Sequence, residues 1–273
     1  MIKLAPPKVK ITAIIFLLLA GFVTTALIPK LNQPAYAHTF TGDESASFLS
    51  VIGILLAENN LVQTNLASNP TLAQEHAKAV VNIVNGNHTF GILPDEVSEN
   101  NKRVASDVIR GANALQTTVS SKPAPTPADV GAKINYLNGV LQEAVTVRVP
   151  KAHTINSTII AQATKNIVNE TLRQYGYAFG ISKVNTAASS SISNMSAFQS
   201  AQALSSQSQS MLGQAKSLVP KNQTSIATSI SKVATDLTQL KNSIDTKRPY
   251  DMVANLVQKT IYSDLDTSFH LKK

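Results

Sequence analysis

The chain contains no cysteine and no tryptophan, and it has few aromatic and few charged residues for its length. Without cysteine, disulfide frameworks, cysteine-ligated zinc, iron–sulfur clusters and thiol nucleophiles are all excluded. Only 15% of its 273 residues are charged, whereas ordinary soluble domains have roughly 25%. This composition argues against a basic nucleic-acid-binding arm and against a charged disordered tail, and the length allows one large domain or two small ones.

The first 37 residues have the order of a secretory signal peptide. Three lysines lie within the first ten residues, the uncharged stretch 11–28 is almost wholly apolar, and the A-x-A motif 35–37 follows two prolines. We expect cleavage after Ala37. The apolar run approaches the length that spans a bilayer, so an uncleaved membrane anchor is the rival interpretation. In both cases the rest of the chain leaves the cytoplasm, and we expect no later segment to be long and apolar enough to span.

The basic charge is concentrated in this leader. The full chain has 24 basic and 16 acidic side chains, and removal of residues 1–37 takes away four lysines, which leaves 20 basic against the same 16 acidic. A nucleic-acid-binding face needs clustered lysine and arginine interleaved with aromatics. The sequence therefore predicts no nucleic-acid partner, and it predicts membrane contact only through the N-terminal segment if that segment is not cleaved.

From Thr41 onward the pattern predicts amphipathic helices and no strand. Thr41 and Glu44 match a capping box, and Asn69 with Pro70 supplies a cap and a first-turn proline. The cleanest helical period is Val130, Ile134, Leu137, Leu141 and Val145. Further apolar stripes with helical spacing lie at 94–119, 156–172, 198–215, 226–244 and 249–269. We expect an all-α fold, built as an antiparallel helical bundle.

A Ser-rich stretch without periodicity separates two groups of these helices. We expect an N-terminal helical unit over 38–181, a linker over 182–196 and a C-terminal helical unit over 197–273. The segments 141–148 and 240–247 share a leucine, a small residue, a valine or isoleucine and a base before a proline. Duplication of one helical unit explains this similarity, and a shared pattern for ending helices would also produce it.

Several short segments at both ends of the exported chain carry a resemblance to known proteins. They are 38–40, 42–49, 61–66, 75–77 and the Leu-Lys-x-x-Ile-Asp-x-Lys region at 240–247. In this order they resemble uncharacterised secreted helical proteins of ammonia-oxidising archaea. The resemblance implies export and a helical fold. That family has no assigned activity, so it supplies no catalytic residue.

Four histidines are candidate metal ligands. Cleavage after Ala37 would make His38 the N-terminal residue, whose amine and ring nitrogen can hold copper while a second histidine completes the site. The possible partners are His76, His88 and His153. None of them has the i, i+4 spacing that places two ligands on one helical face, so histidines that face solvent or cap helices are the simpler interpretation.

Acidic residues form three further candidate sites, and each has a simpler interpretation. Glu58 lies in an apolar stripe and could be a buried titratable group, although such a residue more often keeps its carboxylate in water at the stripe's edge. His76, next to Glu75, is expected on a polar helix surface. Asp264 and Asp266 flank a leucine and are expected on different sides of a helix, which argues against a paired carboxylate site. No nucleophile elbow, phosphate loop or paired-histidine motif occurs in the sequence.

Five sequons are candidate glycosylation sites in an exported chain. They begin at Asn87, Asn156, Asn169, Asn194 and Asn222. A chain this rich in asparagine, serine and threonine also produces sequons by chance.

Together these features predict an exported, non-enzymatic helical protein without a cofactor. It would serve as a binding or structural module of the cell envelope or the extracellular space, with a partner and ligand that the sequence does not identify. The alternative is an extracytoplasmic copper-binding or redox-accessory protein that uses His38.

Overall fold

The computed structural model describes residues 38–86, 93–181, 189, 191–220 and 222–271. This part of the chain is helical and contains no strand, which confirms the predicted all-α class. Its α-helices are α1 (Gly42–Asn65), α2 (Pro70–Val84), α3 (Leu93–Ser98), α4 (Lys102–Val119), α5 (Pro127–Arg148), α6 (Lys151–Thr154), α7 (Ser157–Ala178), α8 (Met195–Ser217), α9 (Thr224–Asp245), α10 (Tyr250–Asn255) and α11 (Tyr262–Phe269). A π-helical segment, Leu256–Ile261, joins α10 to α11.

The first two helices begin at the predicted caps. The hydroxyl of Thr41 accepts the N–H of Glu44 at 3.3 Å, and the Glu44 carboxylate accepts the N–H of Thr41 at 2.7 Å. The side-chain oxygen of Asn69 accepts the N–H of Leu72 at 3.2 Å, with Pro70 as the first residue of α2. Caps of this kind each contribute about 1 kcal/mol. Local sequence therefore fixes where α1 and α2 start.

The prediction of a single helix over 94–119 is wrong, because the chain forms two helices there, α3 and α4. Asn101 leaves the helical conformation, and its side-chain oxygen accepts the N–H groups of Arg103 and Val104 at 3.1 and 3.2 Å. Asparagine competes for backbone hydrogen bonds in this way and favours caps over helix interiors. Two separate helices thus share one apolar stripe.

The helices pack as an antiparallel bundle around a common core. α1 lies against α2, α5, α7 and α8, and α7 packs most extensively against α8. Along α1 and α8 the contacts run in opposite directions, since Asn65 meets Gln199 whereas Gly53 approaches Gln207. Buried apolar residues from both sides of the predicted linker 182–196 belong to the same cluster. The duplication of two related units stays a prediction.

The first helix, α1, is the central helix of this core. It is long and apolar enough to cross a membrane by length and composition, which corrects the expectation that no segment after the leader has this property. However, 72% of its most apolar window is buried inside the protein. Core helices pass the same test, so this property does not assign α1 to a membrane. α1 also approaches α7 closely, because a Cβ added at Gly53 would lie 2.8 Å from Cδ1 of Ile167.

Residues 250–269, which we call the C-terminal segment, close the bundle against α7 and α9. The segment buries an apolar row that is 0% exposed, made of Val253, Val257, Ile261 and Leu265. Its α11 portion is tied to α7 by the ion pair of Lys165 with Asp266, at 2.6 Å. The segment therefore depends on both apolar packing and charged contacts.

Candidate functional site

A buried polar network joins α1, α2 and α8. Glu58 on α1 is 2% exposed and His76 on α2 is 0% exposed. Nδ1 of His76 lies 2.7 Å from Oε2 of Glu58, and the Ser200 hydroxyl donates to Oε1 of Glu58 at 2.6 Å. Nε2 of His76 lies 2.9 Å from Oε1 of Gln199, whose amide pairs with that of Asn65. We call these five residues the Glu58–His76 network.

The amides of this network show where His76 carries its protons. Nδ2 of Asn65 donates to the carbonyl of Leu61 at 2.9 Å and to Oε1 of Gln199 at 3.0 Å. Because Oε1 of Gln199 accepts from Asn65, it is an acceptor. Nε2 of His76, which lies 2.9 Å from the same oxygen, must therefore be a donor. The arrangement thus holds an imidazolium against a carboxylate.

The charge state of His76 results from two opposing effects. Burial disfavours the charged ring and acts to lower the pKa of His76, but the hydrogen bond and negative charge of Glu58, with the hydrogen bond to Gln199, outweigh it. The pKa of His76 is consequently raised above its ordinary value of 6.5. A buried pair of this kind adds little net stability, although loss of one partner leaves an uncompensated charge and typically costs about 3–5 kcal/mol.

These positions correct the expectations for two residues. Of the two interpretations of Glu58, the less common one, burial of the carboxylate, is correct, and the expectation that His76 lies on a polar helix surface is wrong. The physical reason is that α2 and α8 cover the side of α1 that carries Glu58. Sequence reasoning missed Ser200 and Gln199, because polar residues in a helix rich in serine and glutamine give no signal of burial.

A cavity of about 190 Å³ lies beside the network. Its polar lining comprises Glu58, Asn82, Arg173, Gln174, Tyr177, Asn194, Ser196 and Ser200. The guanidinium of Arg173 is paired with the carboxylate of Glu170 at 2.6 Å. The carboxylate of Glu58 is paired with His76, so neither charged residue of the lining lacks a partner of opposite charge. The volume is below the roughly 300–1,000 Å³ of most small-molecule sites.

The network does not have the connectivity of a hydrolytic triad. Nucleophilic catalysis by a serine needs a neutral histidine that accepts the hydroxyl proton. Here Ser200 donates to Glu58, and both ring nitrogens of His76 are engaged with acceptors. The geometry therefore suits cohesion between helices better than proton transfer.

A second cluster lies where the described chain begins. The side chain of Arg148 is 0% exposed, and its guanidinium lies 3.6 Å from the centre of the Phe40 ring. Nη1 of Arg148 donates to the carbonyl of His38 at 2.7 Å, and Nη2 lies 3.2 and 3.1 Å from the carboxylates of Glu96 and Glu99. We call these five residues the Arg148 cluster. It fixes the chain just before α1.

The described histidines that were possible partners of His38 at a copper site are engaged elsewhere. His76 belongs to the Glu58–His76 network, and Nδ1 of His153 lies 2.8 Å from the hydroxyl of Ser45. His88 lies outside the described residues.

Carboxylates, in contrast, surround the ring of His38. Among the described residues, the one group of three potential metal ligands consists of His38, Glu96 and Glu99, whose ligand atoms lie within 4.8 Å of one another. Nδ1 of His38 is 2.9 Å from the carboxylate of Glu99. Arg148 donates to both carboxylates. A metal ion would therefore compete with a fixed positive charge.

The two aspartates of α11 face different helices, as the sequence predicted. Asp264 and Asp266 do not pair with each other, since Asp266 binds Lys165 and Asp264 binds Lys232 at 2.8 Å. Asp264 instead meets the carboxyl of Asp236 on α9. This pair was not predicted, because the two residues are far apart in the chain and belong to different helices.

Four of the predicted glycosylation sites are on the surface. Asn156, Asn169, Asn194 and Asn222 are exposed, and Asn87 lies outside the described residues. Asn156 and Asn194 cap α7 and α8 through their side-chain oxygens, whereas a glycan joins the side-chain nitrogen. The surface positions are therefore compatible with modification, which stays a prediction.

Comparisons with protein-family models, with curated proteins and with solved structures find no match for the chain. The buried network, the Arg148 cluster and the aspartate pair are therefore the features on which a function can be based.

Proposed function

We propose that the chain is an exported, non-enzymatic helical protein that serves as a binding or structural module of the cell envelope or the extracellular space. The observation that carries this proposal is the saturation of the Glu58–His76 network. Its acid, its imidazole, its hydroxyl and its amides bind one another across three helices. Side chains that could perform chemistry thus connect helices, and the surface is left for interaction with an unidentified partner.

The proposed export depends on the N-terminal leader, residues 1–37. Residues 1–37 have the charge and apolar order of a signal peptide or anchor, and the resemblance to secreted archaeal proteins agrees with it. We propose that the membrane is contacted only through this segment. Exposed sequons are a further feature that suits an extracytoplasmic chain.

Expression of the complete chain in an archaeal host tests the localisation. We expect the protein to be degraded when protease is added to intact cells, and we expect an N-terminus at His38 if the leader is cleaved. A protein that resists protease until the cells are lysed would contradict export. A cytoplasmic protein expressed in the same cells controls for lysis.

Complementation of a deletion strain tests the non-enzymatic role. The variant Glu58→Leu/His76→Leu removes both charges together and is compared with the exposed control Glu75→Gln. If the protein is a structural or binding module, the double variant restores the envelope phenotype whenever it accumulates to normal amounts. Failure of a folded, normally abundant double variant would indicate that the network performs chemistry.

The second candidate is a copper-binding or redox-accessory protein that uses the mature N-terminus. It is favoured by the position of His38 beside Glu96 and Glu99, since an amine, an imidazole and carboxylates together offer nitrogen and oxygen ligands. Copper titration of the mature protein is compared with a form that carries one extra residue before His38. Equal binding by both forms, or binding by neither, would rule out a site built on the terminal amine.

A further inference from the structure

Two carboxyl groups meet between α9 and the C-terminal segment. Asp236 on α9 is 8% exposed, and the side chain of Asp264 on α11 is 16% exposed. The two side chains lie within hydrogen-bonding reach of each other. One oxygen of each, Oδ2, is buried without a hydrogen-bond partner. Both are acceptors when ionised, so the pair lacks a donor.

A single proton supplies the missing donor. When one carboxyl is protonated, its O–H can donate to the other carboxylate, and the repulsion between two adjacent negative charges is removed. Burial, then the hydrogen bond and charge of Asp264, raise the pKa of Asp236 to about 6, and the positive charge of Lys232 opposes this rise. The pair thus titrates in a range that an extracytoplasmic protein can meet.

The charged groups around the pair are few. Lys232 on α9 binds the outer oxygen of Asp264 at 2.8 Å, but its side chain is 64% exposed. From α7, Lys165 is occupied by Asp266. α8, which also packs on α9, has Lys216 as its one charged residue. On α10 and the π-helical segment the charged residues are Asp251 and Lys259, and both are exposed.

We propose that Asp236 and Asp264 form a proton-operated latch, in which one shared proton holds the C-terminal segment against α9 and its loss loosens that segment. Without the proton, two carboxylates face each other where water has little access, while the apolar row and the pair of Lys165 with Asp266 still attach the segment. The expected response is therefore local opening of residues 250–269 before global unfolding.

The direction of the pH dependence follows from the raised pKa of Asp236. A group that binds its proton more tightly in the closed state stabilises that state. This stabilisation is fully present below the ordinary aspartate pKa of 3.8 and is lost as the pH rises through the raised pKa of about 6. With these two pKa values for the open and the closed state, the equilibrium constant for opening of the C-terminal segment rises about tenfold between about pH 5 and about pH 7.5. The segment is thus most firmly closed in acid.

Hydrogen exchange of the purified protein, read by mass spectrometry, measures this opening. Wild type and the variant Asp236→Asn are compared at the same pH, so that intrinsic exchange rates cancel. Asparagine keeps the shape of the side chain and can donate to Asp264 at every pH. We expect the ratio of opening constants, wild type over variant, to rise about tenfold between about pH 5 and about pH 7.5, with the largest change in peptides from 250–269.

The matched control is Asp245→Asn, which removes an exposed carboxyl from the same helix, where it pairs with Lys241. This variant should keep the pH dependence of wild type. A second measurement needs no variant: NMR titration of the side-chain carboxyl carbons should show one aspartate with a midpoint near 6. The latch is overturned if every aspartate titrates below about pH 5, or if Asp236→Asn retains the pH-dependent opening of wild type.

Discussion

The buried pair of Glu58 and His76 allows one prediction to be worked out fully. The variant His76→Leu leaves the Glu58 carboxylate buried, with the hydroxyl of Ser200 as its remaining donor in the network. The reverse variant, Glu58→Leu, leaves an imidazole that must lose its proton or stay buried as a cation. We expect each single change to lower the free energy of unfolding by about 3–5 kcal/mol, a large share of the roughly 5–15 kcal/mol of typical domains.

The double variant Glu58→Leu/His76→Leu separates the charge effect from packing. It removes both ions, so no uncompensated charge remains, and replacement of a buried pair by apolar residues is often close to neutral. The amide of Gln199 then loses a partner, which costs about 1–3 kcal/mol. We therefore expect the double variant to be more stable than either single variant, and the double-mutant cycle to show strong coupling.

Urea unfolding followed by far-UV circular dichroism at about pH 6 measures these differences. Glu75→Gln, an exposed change next to His76, is the control and should alter stability by less than about 0.5 kcal/mol. The raised pKa of His76 adds a pH signature, because its stabilisation is fully present below 6.5 and is lost as the pH rises through the raised value. Variants that lack His76 should not show this alkaline loss.

Two results would refute this reasoning. Single variants that cost under about 1 kcal/mol, with additive effects in the double variant, would mean that the pair carries no buried charge. Wild-type stability that stays constant as the pH rises above 6.5 would mean that the pKa of His76 is not raised.

Three further predictions concern packing and hydrogen bonds. Gly213→Ala, with nothing within 4 Å of the added methyl, should raise stability by up to about 1 kcal/mol. The methyl of Gly53→Ala would lie 2.8 Å from Cδ1 at the end of the Ile167 side chain, which must shift, so this variant should raise Tm less than Gly213→Ala does. Arg148→Met should cost about 1–3 kcal/mol and expose residues 38–41 to limited proteolysis, and unchanged cleavage would contradict the role of the Arg148 cluster. Tyr175→Phe removes the hydrogen bond that Tyr175 donates to the carbonyl of Arg248 at 2.5 Å, and chemical denaturation should show a loss of about 1–2 kcal/mol.

The sequence predicts the helices well where the signal is local. The capping box of Thr41 and Glu44 and the four-residue spacing of Val130 and Ile134 involve residues within one or two turns, so the chain itself specifies those elements. The break at Asn101 was missed, although an asparagine after two polar residues is a usable cap signal.

The candidate sites depend on contacts between distant parts of the chain. Glu58 meets His76 and Ser200, and Asp236 meets Asp264, only after particular helices become neighbours. A single helical stripe shows which residues are apolar, but it does not show which helix covers its polar edge. These polar pairs therefore had to come from the three-dimensional structure.

The buried serines of α8 have a consequence for how this helix finds its place. Ser205 and Ser208 are 0% exposed, and their hydroxyls donate to carbonyls of α8 itself at 2.7 and 2.8 Å. These hydroxyls are therefore satisfied within α8 and do not fix its alignment against neighbouring helices. Near the N-terminal end of α8, however, a shift along the helix axis would leave Gln199 and the carboxylate of Glu58 without their hydrogen-bond partners. The polar contacts that fix the alignment of α8 therefore lie in its first turns.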